Sequence, residues 1–151
     1  MEISKIPHKI LKNKTEDVSI DNVKKGLYNQ LVSEMKVAMK DNNGIGLAAN
    51  QVGKNLSIFV IDSALAEKQK VPDLYFNPEI TERSGDKDDM EEGCLSIPEY
   101  YTQITRSKKI KIKALDETGK KIKIKARGLL ARVLQHETDH LNGLTIKDRS
   151  K

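Results

Sequence analysis

The stretch Gln135-His136-Glu137-Thr138-Asp139-His140 sets two imidazoles and a carboxylate at the spacing His-Glu-x-x-His. Residues four apart lie on one face of an α-helix, one turn above the other, so His136 and His140 can reach a single divalent metal ion. Glu137, beside the first histidine, then faces whatever else the metal holds, as a rule a water. The flanking residues support that helix. Leu129, Leu130, Val133 and Leu134 form an apolar stripe before the motif, Leu141 continues it, and Gly128 and Gly143 bracket the run. The motif is short, and an amphipathic helix with two surface histidines would also carry it. The chain has only 3 histidines, however, and two of them fall at this spacing. The third, His8, lies in a proline-containing N-terminal stretch and reads as an ordinary solvated or packing residue.

A catalytic site of this type takes three protein ligands and leaves one position open. No glutamate follows Glu137, which removes the ligand set of thermolysin-like proteases; Asp148 is the only acid after His140. Gly143 fits the glycine of the longer metzincin pattern, but Ile146 stands where its third histidine belongs. Both protease readings fail at the third ligand. The chain has a single cysteine, Cys94, which cannot form an internal disulfide and fits a reducing compartment. A free cysteine is commonly just a small buried hydrophobe. Beside a histidine pair short of one ligand the balance shifts, because a thiolate binds zinc or iron well and coordination deprotonates it. Cys94, His136 and His140 with one open position form the most economical metal site, and such a set accepts Fe²⁺, Zn²⁺, Ni²⁺ or Co²⁺.

Three short motifs in this order make the chain resemble the peptide deformylases. They are Gly44-Ile45-Gly46-Leu47-Ala48-Ala49-Asn50-Gln51, Glu92-Gly93-Cys94-Leu95-Ser96, and Gln135 through His140. The likeness extends from about Ile6 to Ile146, without a long insertion between the first two motifs, as in the shorter bacterial-type members. It implies a metal-dependent hydrolase that removes the formyl group from N-formylmethionyl nascent peptides and releases formate. Cys94, His136 and His140 would hold the metal, which lowers the pKa of a bound water toward neutrality. Glu137 would take the proton of that water and deliver it to the leaving amine. The Gln51 side-chain amide and the Leu95 backbone N–H would face the oxyanion. Ile45 and Gly46 would lie against the substrate, and Leu129 and Val133 would line the methionine pocket, although both also fit plain helix core. The resemblance further implies Fe²⁺ as the metal in the cell.

Two departures stand out. Thr138 replaces a larger apolar residue at a position turned away from the metal. No further helix is expected after the metal-binding one, which puts ribosome docking through such a helix in question. Asp139 could support the site, but adjacent helical residues face different ways, so it reads as a solvated helix charge. Two other classes compete: a metallopeptidase, and a non-catalytic metal-binding or ribosome-associated protein. The missing protease ligand argues against the first; Glu137 and Gln51, which metal binding alone would not need, argue against the second.

The elements that must position these residues are legible in part. At 151 residues the chain predicts one domain, 1–151, with an aliphatic core, since Trp is absent and aromatics make up 4%. One helix is predicted from Asp21 through Val23, Leu27, Leu31, Met35 and Met39. Leu56–Ile61 reads as a buried strand, and Leu74–Ile80 as another, broken by Pro78. Ile110, Ile112, Ala114 and Ile122, Ile124, Ala126 alternate with lysines about the turn Asp116-Glu117-Thr118-Gly119, which predicts a β-hairpin. The expected fold is α+β: antiparallel strands around a central C-terminal metal-binding helix, with an N-terminal helix. Much of the net charge of +5 sits on that hairpin, in Lys109, Lys111, Lys113, Lys121, Lys123 and Lys125. These lysines read either as a solvated face that discourages edge pairing or as a transient contact with ribosomal RNA, without base recognition. Neither a membrane span nor a signal peptide is expected, and the predicted compartment is the cytoplasm.

Overall fold

The computed structural model describes residues 1–150. In chain order the elements are α1 (Ile20–Lys24), α2 (Asn29–Asp41), β1 (Gly46–Ala48), β2 (Ile58–Ile61), α3 (Ser63–Gln69), β3 (Leu74–Arg83), β4 (Lys87–Cys94), β5 (Ile97–Ser107), β6 (Lys109–Leu115), β7 (Lys121–Arg127), α4 (Gly128–Leu141) and α5 (Ile146–Arg149). The architecture is the expected α+β: an antiparallel sheet of order β1-β2-β3-β6-β7, a separate hairpin β4–β5, and α4 packed between them.

The single N-terminal helix predicted from the apolar spacing is in fact two. Gly26 adopts φ 74°, a left-handed conformation that ends α1, and a Cβ there would meet Asn29 Nδ2 at 2.8 Å. The break turns Leu27 out of the core, leaving it 63% exposed. Helix α2 instead buries Val32, Met35, Ala38 and Met39 against Leu47, Ile58, Val60 and Phe76 of the sheet.

The predicted strands are present with shifted ends. All four residues of β2 are buried, as a short apolar run in mid-sheet demands, while Leu56 only bridges Glu16. Strand β3 runs on to Arg83, and Pro78, which has no N–H to give, falls at a register shift between Phe76 and Glu79. The lysine-rich hairpin is β6–β7. Ile112 opposes Ile124 and Ile110 opposes Ala126, while Lys111 opposes Lys125 and Lys113 opposes Lys123 on the exposed side. Its turn is tied by Asp116 Oδ1, which accepts from the N–H groups of Thr118 and Lys120 at 2.9 and 3.0 Å.

Strands β4 and β5 have no counterpart in the apolar pattern. Seven residues of β4 are polar, glycine or exposed methionine ahead of Cys94, and its side chains are mostly solvated. Backbone pairing with β5 and a buried ion network, described below, define this hairpin instead.

Helix α4 is buried nearly all round. Leu130, Ala131, Val133, Leu134 and Leu141 join Phe59, Ile61, Tyr75, Ile110 and Ile112 in the second core cluster. A Leu134→Ala change in this setting would cost about 2–5 kcal/mol. Thr138 is buried, with its hydroxyl donating to Leu134 O at 2.7 Å. The absence of a further helix is corrected: α5 forms one helical turn, because Asp148 Oδ2 accepts from Thr145 N at 2.8 Å and Ile146 is buried. His8 is exposed, and its Nδ1 accepts from Ile10 N, capping a short 3₁₀ turn.

Candidate metal centre

His136 and His140 sit on one face of α4, with ring centroids 5.0 Å apart. Cys94 ends β4 beside them, and its Sγ is 3.2 Å from His140 Nε2. One donor atom from each of Cys94, His136 and His140 lies within 4.8 Å of the others. Two imidazole nitrogens and a sulfur so close together fit a four-coordinate zinc- or iron-type site with one position left open. Burial pushes His140 well below the ordinary histidine value, so it is a neutral imidazole with a lone pair to give. Burial also disfavours charge on His136, but the Cys94 side chain and the Glu92 carboxylate outweigh it and hold its pKa at about 10. Metal binding here therefore competes with protons.

Glu137 completes the cluster. Its side chain is 3% exposed, and Oε2 lies 4.0 Å from His136 Nε2. Oε1 is buried with no hydrogen-bond partner among the described residues. Burial pushes the carboxyl up to about 7. A carboxyl poised near neutrality, with an oxygen uncommitted, is suited to taking up and passing on a proton. Gly46 makes room for it: a Cβ there would collide with the carboxylate and lie 2.8 Å from Glu137 Cδ.

The first motif reaches the site through a buried loop. Gln51 accepts from Ala48 N through Oε1 at 3.0 Å and donates through Nε2 to Ser96 Oγ at 3.0 Å. The same Nε2 lies 3.6 Å from Cys94 Sγ, a long contact that leaves its second N–H loosely held. Asn50 Nδ2 donates to His140 O at 2.5 Å and pins the loop to α4. Leu95 and Ser96 form the tight turn between β4 and β5, so the Leu95 backbone is next to Cys94. The open side of the cluster is a cleft of about 650 Å³, lined among others by Ile45, Gly46, Gln51, Leu95, Leu129 and Val133. Ile45 and Leu129 expose much of their surface in it, while Val133 is buried. The other residues named from the sequence, Cys94, His136 and Glu137, also line this cleft, except His140, which is buried behind Cys94.

The sequence reading missed the support beneath the histidines. His136 Nδ1–H donates to Glu92 Oε1 at 2.9 Å. Burial alone would raise the Glu92 carboxyl, but hydrogen bonds from His136 and Arg106 hold it at about 2. Arg106 Nε and Nη2 grip Glu92 at 2.7 and 2.9 Å, and Arg132 Nη1 donates to Glu92 Oε2 at 2.5 Å. Asp139 is not a solvated helix charge: it is buried and accepts from Arg106 Nη1 at 2.8 Å and from Arg149. Arg106 keeps its proton more tightly than usual; burial opposes this, and the Glu92 and Asp139 carboxylates overcome it. Two signals were available. A ligating imidazole needs an acceptor on its other nitrogen, and Arg132 lies four residues before His136, on the same helix face. Nothing local marks Arg106, a strand residue flanked by Thr105 and Ser107.

Comparison with known proteins agrees with this geometry. The family model described as polypeptide deformylase matches residues 1–151. A peptide deformylase of Thermodesulfovibrio yellowstonii is 43% identical over 149 residues, 99% of this chain and 88% of that protein. One of Dictyoglomus turgidum is 45% identical over 151 residues, 99% of this chain and 92% of that protein. Among solved structures, the peptide deformylase of Thermotoga maritima superposes with a TM-score of 0.89 at 36% identity, covering 99% of this chain and 97% of that one. The Synechococcus elongatus peptide deformylase in complex with actinonin gives 0.89 at 37% identity, covering 100% and 79%. The family match over the whole chain, the sequence identity over nearly its full length and the shared fold agree, and the chain belongs to the polypeptide deformylase family.

Proposed function

We propose that this chain hydrolyses the formyl amide of N-formylmethionyl peptides and releases formate. The observation that carries the proposal is Glu137: a buried carboxyl with a free oxygen and a pKa near 7, beside the Cys94, His136 and His140 donors in a cleft of mixed polar and apolar lining. Those three residues would hold one divalent metal, Fe²⁺ in the cell on this reading, with Zn²⁺, Ni²⁺ or Co²⁺ able to use the same donors. When bound, it supplies Lewis acidity and lowers the pKa of the attacking water.

The chain's own groups do the rest. Glu137 takes the proton from the attacking water and returns it to the amine nitrogen as the C–N bond breaks. The loosely held N–H of Gln51 Nε2 and the Leu95 backbone N–H donate to the carbonyl oxygen as it gains charge. The Gly46 backbone and Ile45 hold the peptide, and Leu129 and Val133 take the flexible methionine side chain. The cleft is open, which suits a chain terminus arriving from outside. On the β6–β7 hairpin, Lys111 and Lys113 are neutralised by Glu82 and Glu79. Lys121, Lys123 and Lys125 on the edge strand have no acidic partner among the described residues, and we assign them a transient, salt-sensitive contact with ribosomal RNA.

Formate release from formyl-Met-Ala by metal-loaded protein, run beside a doubly blocked peptide as a protease substrate, tests the activity. Formate without internal cleavage is expected. Internal cleavage would favour a metallopeptidase, and neither product from well-metallated protein would leave only a metal-binding role.

A further inference from the structure

Arg149 lies outside the cleft, on the last turn of α5, with its side chain 43% exposed. It nonetheless ends an unbroken chain of charged hydrogen bonds that begins at a metal-ligand histidine. Arg149 Nη2 donates to Asp139 Oδ1 at 2.8 Å and its Nε to Asp139 Oδ2 at 3.1 Å. Asp139 Oδ2 also takes Arg106 Nη1 at 2.8 Å. Arg106 in turn grips both oxygens of Glu92, and Glu92 Oε1 holds His136 Nδ1.

The two Glu92 oxygens are held differently. Oε2 is secured twice, by Arg106 Nε and by Arg132 Nη1, and Arg132 is itself anchored on Ile104 O and Asp88. Oε1, the oxygen that orients His136, has only Arg106 Nη2 besides the imidazole. The Glu92–His136 geometry therefore depends on where Arg106 sits. Arg106 is pulled from two sides, by Glu92 and by the buried Asp139 carboxylate. Arg149 supplies the only donor to Asp139 Oδ1 among the described residues. Without it, a carboxylate 4% exposed would keep one donor and draw the Arg106 guanidinium toward itself, away from Glu92.

We propose that Arg149 is a positioning residue for the metal centre: by satisfying Asp139 from α5, it leaves Arg106 on Glu92 and so fixes the ligating orientation of His136. The guanidinium fork matters as well as the charge, because an ammonium lacks the planar pair of donors with which Arg149 meets the two Asp139 oxygens. The inference rests on the metal-site reading above.

Release of Co²⁺ to a chelator, followed by the visible absorption of the loaded protein, tests it without any substrate. A direct carboxylate partner of a ligating histidine is worth about 10–100-fold in metal affinity; acting through two further side chains, Arg149→Ala should speed release about 3–10-fold. Arg149→Lys should fall between it and the parent, and Arg83→Ala, a surface control, should match the parent. In a Glu92→Gln background Arg149→Ala should add nothing, since the relay is already cut. Parent-like release from Arg149→Ala, even with a lowered Tm, would make Arg149 a stability residue only and overturn the proposal. So would an undiminished effect in the Glu92→Gln background. A parent chain that retains no Co²⁺ would instead remove the metal-site reading itself.

Discussion

The two halves of the metal centre are built in opposite ways. The α4 half is local: a helical repeat carries His136 and His140 to one face, and Glu137 comes with them because it is their neighbour. The β4–β5 half is held by long-range contacts. Cys94 ends an exposed, charged strand, and its hairpin is secured to α4 through Glu92, Arg106, Arg132 and Asp139. The helix contributes the Glu137 carboxyl, and the hairpin contributes the thiol and the carboxylate bonded to His136. Damage to the two halves should therefore differ in kind: loss of chemistry with metal kept in one case, loss of metal in the other.

The largest effect belongs to the helix half. Glu137→Ala should lower the rate of formate release by more than about 10³-fold, because both proton transfers use that carboxyl. Metal content, measured on the same sample, should stay near one equivalent of the parent's; a metal-free Glu137→Ala protein would erase the contrast. Next comes Gln51→Ala, a donor rather than a ligand, with an expected loss of about 10²–10³ in turnover. Its ties to Ala48 N and Ser96 Oγ also vanish, so KM should be followed beside kcat to separate donor loss from loop movement.

The hairpin half is broken at Glu92. Glu92→Gln should weaken metal binding about 10–100-fold by titration against a chelator, while Glu137 stays in place. The same variant sharpens the acid behaviour. The Glu92 carboxyl is depressed to about 2 in the folded chain. Its contribution to stability is complete above the unfolded value of about 4.3 and is lost as pH falls through about 2. Denaturant unfolding between these limits should show the parent losing more stability than Glu92→Gln, and parallel curves would mean that the network is not the acid-sensitive element. The smallest effect lies away from both halves. Lys123→Glu with Lys125→Glu should change stability by less than about 0.5 kcal/mol and leave formate release intact, while weakening ribosome binding measured at low salt.

Legibility followed the same division. The α4 ligands, the β6–β7 hairpin and the buried strand β2 were readable because each writes its period or its apolar run into neighbouring residues. The one helix expected from Asp21 to Met39 failed at Gly26, where a local left-handed residue overrode an apolar spacing that continued past it. Strand β4 was unreadable because its stabilisation is ionic and long-range, and β5 because Ile97 and Ile104 are its only buried apolar residues, too far apart to show an alternation. Asp139 was misread for a related reason: on a helix buried nearly all round, a charged residue flanking the histidine face still meets protein.

By itself, then, the sequence determined the types of the candidate ligands, the spacing of two of them and the carboxyl set beside them, because those follow from residue type and helical repeat. Only the tertiary structure decided that Glu92 orients His136, that Arg106 and Arg132 neutralise it, and that Asp139 and Arg149 close the relay. These are contacts between residues up to 44 positions apart, chosen by how a buried charge finds partners once the hairpin and α4 pack together, and no local pattern encodes that choice.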